Sequence, residues 1–97
     1  MSEHSKQAIL QELNPEGSPG NNWNLTGKNT FKIGREPTND IVLPYSWISR
    51  KHTMVQRENG GIFHIMDLGS SNATIVNDKS IKENVLLKDG DMVRIGH

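Results

Sequence analysis

Past residue 22 this chain never sustains a helical period over a helical length; turn-forming residues cut it into short β-rich runs. Thr30-Phe31-Lys32-Ile33 alternates polar and apolar residues and stops at Gly34. Ile41-Val42-Leu43 is a continuous apolar run closed by Pro44. Thr53-Met54-Val55-Gln56-Arg57 leads into Asn59-Gly60-Gly61, and Ile62 to Leu68 returns, which together read as a hairpin. Thr74-Ile75-Val76 precedes Asn77-Asp78, two residues that tolerate positive φ and suit a tight turn. Ile81, Val85-Leu86-Leu87 and, after Asp89-Gly90, Met92-Val93-Arg94-Ile95 complete the series. Short strands separated by turn signals predict an all-β sandwich or barrel.

The first 22 residues are less regular. Ala8, Ile9, Leu10 and Leu13 fit either a helical face or a short strand. Asn14 to Asn22 holds two prolines, two glycines and three asparagines with no large apolar side chain, and reads as loop. Trp23-Asn24-Leu25 reads as strand, and Thr26-Gly27-Lys28-Asn29 as turn.

Composition removes several functions. At 97 residues the chain makes at most one small domain with a modest core. Eleven basic and eleven acidic residues cancel, which argues against a duplex nucleic-acid binder. There is no cysteine, so disulfides, thiolate zinc sites and cysteine nucleophiles are excluded. No apolar run approaches the length needed to cross a bilayer, and Met1 to Lys6 lacks the pattern of a secretory signal. The expectation is a soluble cytoplasmic domain without membrane contact.

Four polar clusters fall between the strands: Gly34-Arg35-Glu36, Ser49-Arg50-Lys51-His52, Gly69-Ser70-Ser71-Asn72 and Asn77-Asp78. Taken singly, each is an ordinary solvated turn. The four histidines, His4, His52, His64 and His97, show no metal-ligand spacing, and neither a metal nor a cofactor is expected. Ser49 and His52 are close enough in sequence to suggest a nucleophile and its base, but no nucleophile elbow accompanies them. No glycine-rich loop runs into a helix, so a P-loop is excluded. Asp40, Asp67, Asp89 and Asp91 read as turn formers. Arg35, Ser49, Arg50, Ser70, Ser71 and Asn72 form a set of donors suited to one phosphate. A local basic cluster inside a neutral protein favours a small anion over a polyanion.

In this order and on this strand pattern, "FKIGREPTNDIVLP", "ISRKH", "DLGSSNATIVND" and "LKDGDMVRIG" resemble the signatures of the forkhead-associated (FHA) domain. Four spaced motifs cover residues 31–96, while Ala8 to Leu25 fits the first two strands more loosely. The resemblance implies an eleven-stranded, two-sheet antiparallel β-sandwich of FHA/SMAD-like type over residues 6–97, after a flexible tail at residues 1–5. It implies a non-catalytic module that binds phosphothreonine-containing segments of proteins phosphorylated by a Ser/Thr kinase. Carried over by position, Gly34 would let the backbone bend so that Arg35 projects into the site. Arg35 would meet the peptide backbone or phosphate, Ser49 would donate its hydroxyl to the phosphate, and Arg50 would add charge. Ser71 would be a second hydroxyl, where many relatives have Thr, and Asn72 would bond the peptide main chain just after the phosphoresidue. His52 would be structural, holding the loop that bears Ser49. The threonine methyl would fill a small pocket, a preference over phosphoserine worth on the order of 1 kcal/mol.

Two departures qualify that picture. Ala73 replaces the family's usual Gly, which costs about 1 kcal/mol if the position needs φ > 0. Relatives continue past the equivalent of Gly96-His97 into a final strand that pairs with the first. Either the chain is a piece of a longer protein or the sandwich carries an open edge, which invites weak self-association of an otherwise monomeric domain. The alternative function is a phospho-independent interaction module on the same fold. Trp47 either flanks the phosphopeptide and chooses a neighbouring side chain, or covers the base of its loop.

Overall fold

The computed structural model describes residues 8–96, so the expected tail at residues 1–5, His4 and His97 lie outside the described residues. Ten strands and no helix form among those described. They are β1 (Ile9–Leu13), β2 (Pro19–Asn24), β3 (Thr30–Gly34), β4 (Ile41–Val42), β5 (Thr53–Glu58), β6 (Ile62–Asp67), β7 (Thr74–Val76), β8 (Lys79–Ser80), β9 (Val85–Leu87) and β10 (Val93–Ile95). They assemble as a five-stranded sheet of order β4-β3-β5-β6-β9, a three-stranded sheet β10-β7-β8, and a two-stranded ribbon β1-β2. All pairings are antiparallel except β3 with β4, where Ile33 sits opposite Ile41.

The inward positions follow from the period of two. Phe31 and Ile33 on β3, Val55 on β5 and Ile65 on β6 are buried and stack across the sheet in register, Phe31 opposite Val55 and Val55 opposite Ile65. Val76 on β7 meets this layer from the other sheet, with Leu25 and Ile41 completing the buried cluster. Leu10 and Trp23, on the ribbon, pack against its edge. The β5–β6 hairpin turns at Asn59-Gly60-Gly61, where both glycines take positive φ (83° and 76°).

The ambiguous segment at Ala8–Leu13 is strand. The expected loop over Asn14–Asn22 is only partly loop: Asn14 to Ser18 turns, and Pro19 onward pairs with β1, Leu13 opposite Pro19 and Leu10 opposite Trp23. Five of the six β2 residues are exposed, so its sequence carries no apolar alternation for the eye to find. The tight turn at Asn77-Asp78 forms as expected, at φ 50° and 71°, but the strand after it is Lys79–Ser80, with Ile81 just past its end. Among the described residues β1 pairs only with β2 and β10 only with β7. A groove of about 1530 Å³ has Leu10 and Val93 on its walls, together with the half-buried Phe63 and Leu87.

One buried polar contact ties the two main sheets. Thr53 on β5 and Thr74 on β7 are fully buried, with their hydroxyl oxygens 2.7 Å apart. Thr74 Oγ1 also lies 2.7 Å from the Asp67 carboxylate, which only accepts. Thr74 therefore donates to Asp67, and Thr53 donates to Thr74. The order of this relay sets the outcome of isosteric substitution. Thr53→Val leaves Thr74 with its acceptor and should cost less than about 1 kcal/mol, whereas Thr74→Val strands the Thr53 hydroxyl and removes a bond to a charge, about 2–3 kcal/mol. Chemical denaturation of the two variants checks this; equal losses would contradict the assigned direction.

Candidate functional site

The loops between β3 and β4, between β4 and β5, and between β6 and β7 converge through backbone contacts. Arg35 N–H donates to the Ser49 carbonyl at 3.0 Å and Glu36 N–H to the Arg50 carbonyl at 3.2 Å, fastening Ser49-Arg50 to the end of β3. Asn39, which is buried, adds two bonds from its Nδ2, to the Glu36 carbonyl at 2.8 Å and the Arg50 carbonyl at 2.7 Å. Gly34 lies beneath. A Cβ there would stand 2.2 Å from the Arg50 carbonyl oxygen and 2.8 Å from Asn39 Nδ2. The structure thus gives Gly34 a different reason from the bend expected of it: its φ is not positive, and what it supplies is room for the crossing chain.

His52 is completely buried. The Ser49 backbone N–H donates to its Nδ1 at 3.0 Å, and its Nε2–H donates to the Ala73 carbonyl at 2.7 Å. A backbone N–H can only donate and a carbonyl can only accept, so these partners specify the neutral Nε2–H tautomer. Both ring nitrogens are occupied by main chain, and neither bonds the Ser49 hydroxyl. This is the geometry of a brace between two loops, not of a general base on a nucleophile.

Two further bonds lace the same loops. Ser71 N–H donates to Ser49 Oγ at 3.1 Å, and Asn72 Nδ2 donates to the Trp47 carbonyl at 2.8 Å. Ser49 is half-buried and keeps its hydroxyl proton for another acceptor, while Ser71 and Asn72 are exposed. Arg35 donates through Nε to the Ile48 carbonyl at 2.9 Å, which leaves the outer edge of its guanidinium open. Arg50 is exposed, and among the described residues no hydrogen bond or ion pair engages its guanidinium. Arg35, Ser49, Arg50, Ser71 and Asn72 are therefore carried by loops that touch one another. Ser70 is different: its hydroxyl and its N–H both bond Asp67, so it faces the base of the turn.

Asp67 organises that turn. Its carboxylate accepts from Gly69 N–H at 3.0 Å, Ser70 N–H at 2.9 Å, the Ser70 hydroxyl and Thr74 Oγ1. Burial opposes its ionisation, yet the four donors together hold the carboxyl below its ordinary value of 3.8. Glu36 pairs with Lys51 at 3.0 Å and accepts from the Thr38 hydroxyl. The Lys51 ammonium first, then the Thr38 hydroxyl, draws its carboxyl below the usual range. Such exposed pairs contribute little to stability. Asp91 behaves as the turn former it was read to be, accepting from Lys88 N–H, whereas Asp40 reaches out of its own loop to accept from Lys32 N–H on β3.

Ala73 sits at φ 71°, in the left-handed region that favours glycine. Its carbonyl accepts from both His52 and Gly96 N–H, so the strained residue is clamped from two sides. Asp67 caps the turn that follows it, as its place two residues before Gly-Ser signals. Asn39 and the threonine relay were not singled out in the sequence. Asn39 carried no such signal, because its two carbonyl partners come together only in three dimensions.

The FHA domain family model matches residues 31–96. The chain is 39% identical over 72 residues to the glycogen accumulation regulator GarA of Mycolicibacterium smegmatis, covering 74% of this chain and 44% of that one. It spans less than half the length of the first curated relatives it matches. The fold superimposes on the FHA domain of the CT664 protein from Chlamydia trachomatis with a TM-score of 0.82 at 29% identity, over 95% of this chain and 90% of that one. It also matches an FHA domain solved in a study of phosphothreonine-dependent interactions, with a TM-score of 0.75 at 28% identity, over 92% and 85% of the two chains.

Two outcomes follow from this geometry. Ala73→Gly relieves the positive φ and should stabilise the domain by roughly 0.5–1 kcal/mol, seen as a melting temperature a few degrees higher. An unchanged or lower value would show that the clamp already offsets the strain. Asp67 titrates lower folded than unfolded, so its contribution is present above its unfolded value and fades as pH falls through the folded one. The stability gap between wild type and Asp67→Asn, followed by denaturation from pH 7 down to pH 3, should therefore narrow with acid; a constant gap would remove the carboxylate's charge from the account.

Proposed function

This chain belongs to the FHA domain family, and from that premise we propose that it is a non-catalytic module that binds phosphothreonine-containing segments of partner proteins. The phosphate would be received by the Ser49 hydroxyl, the Ser71 hydroxyl and the Arg35 and Arg50 guanidiniums, with Asn72 bonding the peptide main chain beside it. Charge-assisted bonds from guanidinium forks supply the strongest contacts, and hydroxyl donors complete the oxyanion shell. Gly34 and His52 act beneath, by spacing and bracing. The partner is a Ser/Thr kinase substrate, met in the cytoplasm by a monomeric domain spanning residues 6–97, in signalling or assembly.

One observation carries the reading. The Ser71 N–H bond to Ser49 Oγ holds the two hydroxyl-bearing loops together while leaving the Ser49 proton free to donate. Loops already joined lose little freedom on capturing a ligand. The FHA domain studied for phosphothreonine-dependent interactions supports the same ligand, and GarA supports a regulatory setting.

Fluorescence anisotropy with one peptide in phosphothreonine, phosphoserine and unmodified forms tests the proposal. Phosphothreonine should bind best, phosphoserine several-fold more weakly, and the unmodified form at background. Ser49→Ala should weaken binding at least about ten-fold with little change in melting temperature, because it removes a ligand donor on a half-buried loop. His52→Ala should lower both, since two main-chain groups lose their partner. Equal capture of phosphorylated and unmodified peptide, surviving the Arg35→Ala/Ser49→Ala double change, would move the function to a phospho-independent surface of the same fold.

A further inference from the structure

Gly96 follows β10 and is buried, and although it lies far along the chain from the three loops it touches two of them. Its N–H donates to the Ala73 carbonyl at 3.1 Å, on the segment that leads from β6 into β7. Its Cα faces the loop before β5. A Cβ there would stand 2.6 Å from Trp47 Cδ1, 3.1 Å from the Trp47 carbonyl oxygen and 3.2 Å from Ile48 Cδ1. All three distances fall inside the separation at which non-bonded heavy atoms settle, the first of them far inside. The neighbours have little freedom to yield. Tyr45 stacks on the indole with ring centroids 5.0 Å apart and planes 9° from parallel, and Ile48 is buried.

The contact matters because of what Trp47 and Ile48 hold. The Trp47 carbonyl accepts from Asn72 Nδ2 at 2.8 Å, and the Ile48 carbonyl accepts from Arg35 Nε at 2.9 Å. Ser49 follows directly, its Oγ accepting from Ser71 N–H. One short stretch of main chain thus aims the side chains of Arg35 and Asn72 and carries Ser49, and it rests on a residue with no side chain. We infer that Gly96 is a positioning residue for the phosphopeptide site: its bare Cα lets Trp47-Ile48 settle at the depth where their carbonyls hold Arg35 and Asn72. The inference rests on the phosphopeptide reading above and adds a residue outside the loops on which affinity depends. A second demand falls on the same position, since its φ of 88° favours glycine whatever the space. Gly90 separates the two demands. It has the same φ of 88°, but a Cβ there would meet nothing within 4 Å.

The test is the affinity of one phosphothreonine peptide for Gly96→Ala and Gly90→Ala, read by fluorescence anisotropy with melting temperatures recorded. Both variants should melt below wild type, because alanine is strained at positive φ. Gly96→Ala should also bind roughly ten-fold more weakly, the size of losing one hydrogen bond to a charged group, whereas Gly90→Ala should bind as wild type does. Trp47→Ala makes room for the added Cβ, so in that background Gly96→Ala should change affinity by less than about two-fold. A folded Gly96→Ala that binds like wild type, a Gly90→Ala that loses affinity equally, or a loss undiminished by Trp47→Ala would overturn the inference. Should Gly96→Ala alone not fold, Trp47→Ala/Gly96→Ala should fold and bind within the same margin of Trp47→Ala. If that pair also fails to fold, the indole is not what the Cβ meets, and the inference falls. Those results leave phosphate dependence intact; wild type that does not distinguish phosphorylated from unmodified peptide would bring down the parent reading instead.

Discussion

A buried imidazole holds the working end of this domain together. His52 has no water to turn to, and its two nitrogens are committed to the Ser49 N–H and the Ala73 carbonyl. Each bond fixes one loop, and both must be made because an unsatisfied polar atom at that depth costs free energy. The ring thereby converts a requirement of the core, satisfaction of buried polar groups, into a fixed separation between two loops at the surface. The Ser49–Ser71 and Asn72–Trp47 contacts are laid over this base. Without it they would be bonds between mobile exposed segments.

The fold was legible because its strands obey the period of two and end at residues that cannot continue a strand. The run Thr30–Gly34 and the hairpin around Gly60 announce themselves this way. What escaped was whatever lacked an apolar signature. The strand Pro19–Asn24 is almost wholly exposed, so its pairing with β1 is visible only once both are in place. The candidate donors, Arg35, Ser49, Arg50, Ser71 and Asn72, were readable as polar loop residues, and the structure places them on loops that touch. Their supports were harder to see. Asn39 works by bonding the Glu36 carbonyl and the Arg50 carbonyl, the latter eleven residues on in sequence, and a lone asparagine in a turn gives no hint of that.

The supports also show a division of labour between adjacent residues. Ser70 and Ser71 are the same residue type, yet one hydroxyl is spent on Asp67 while the other remains exposed. Arg50 and Lys51 are both cations, yet Lys51 is paired with Glu36 and Arg50 is not. In each pair one residue steadies the loop and the other stays available. Composition alone treats them as equivalent; the carboxylates beside them do not.

The threonine relay has a consequence for how occupancy is felt by the whole domain. Ser49 belongs to a loop of the five-stranded sheet, whereas Ser71 and Asn72 lie on the segment that crosses from β6 into β7 of the other sheet. Thr53, Thr74 and Asp67 bridge the same two layers just below. An anion grasped by both loops would act as a clasp across the sandwich, at the seam where the layers would first part. Ligand capture and resistance to unfolding are then one equilibrium seen from two sides: saturation at a hundred times the dissociation constant adds about 2.7 kcal/mol to the native state. For a domain with a small core, an anion bound there would raise the folded fraction by mass action.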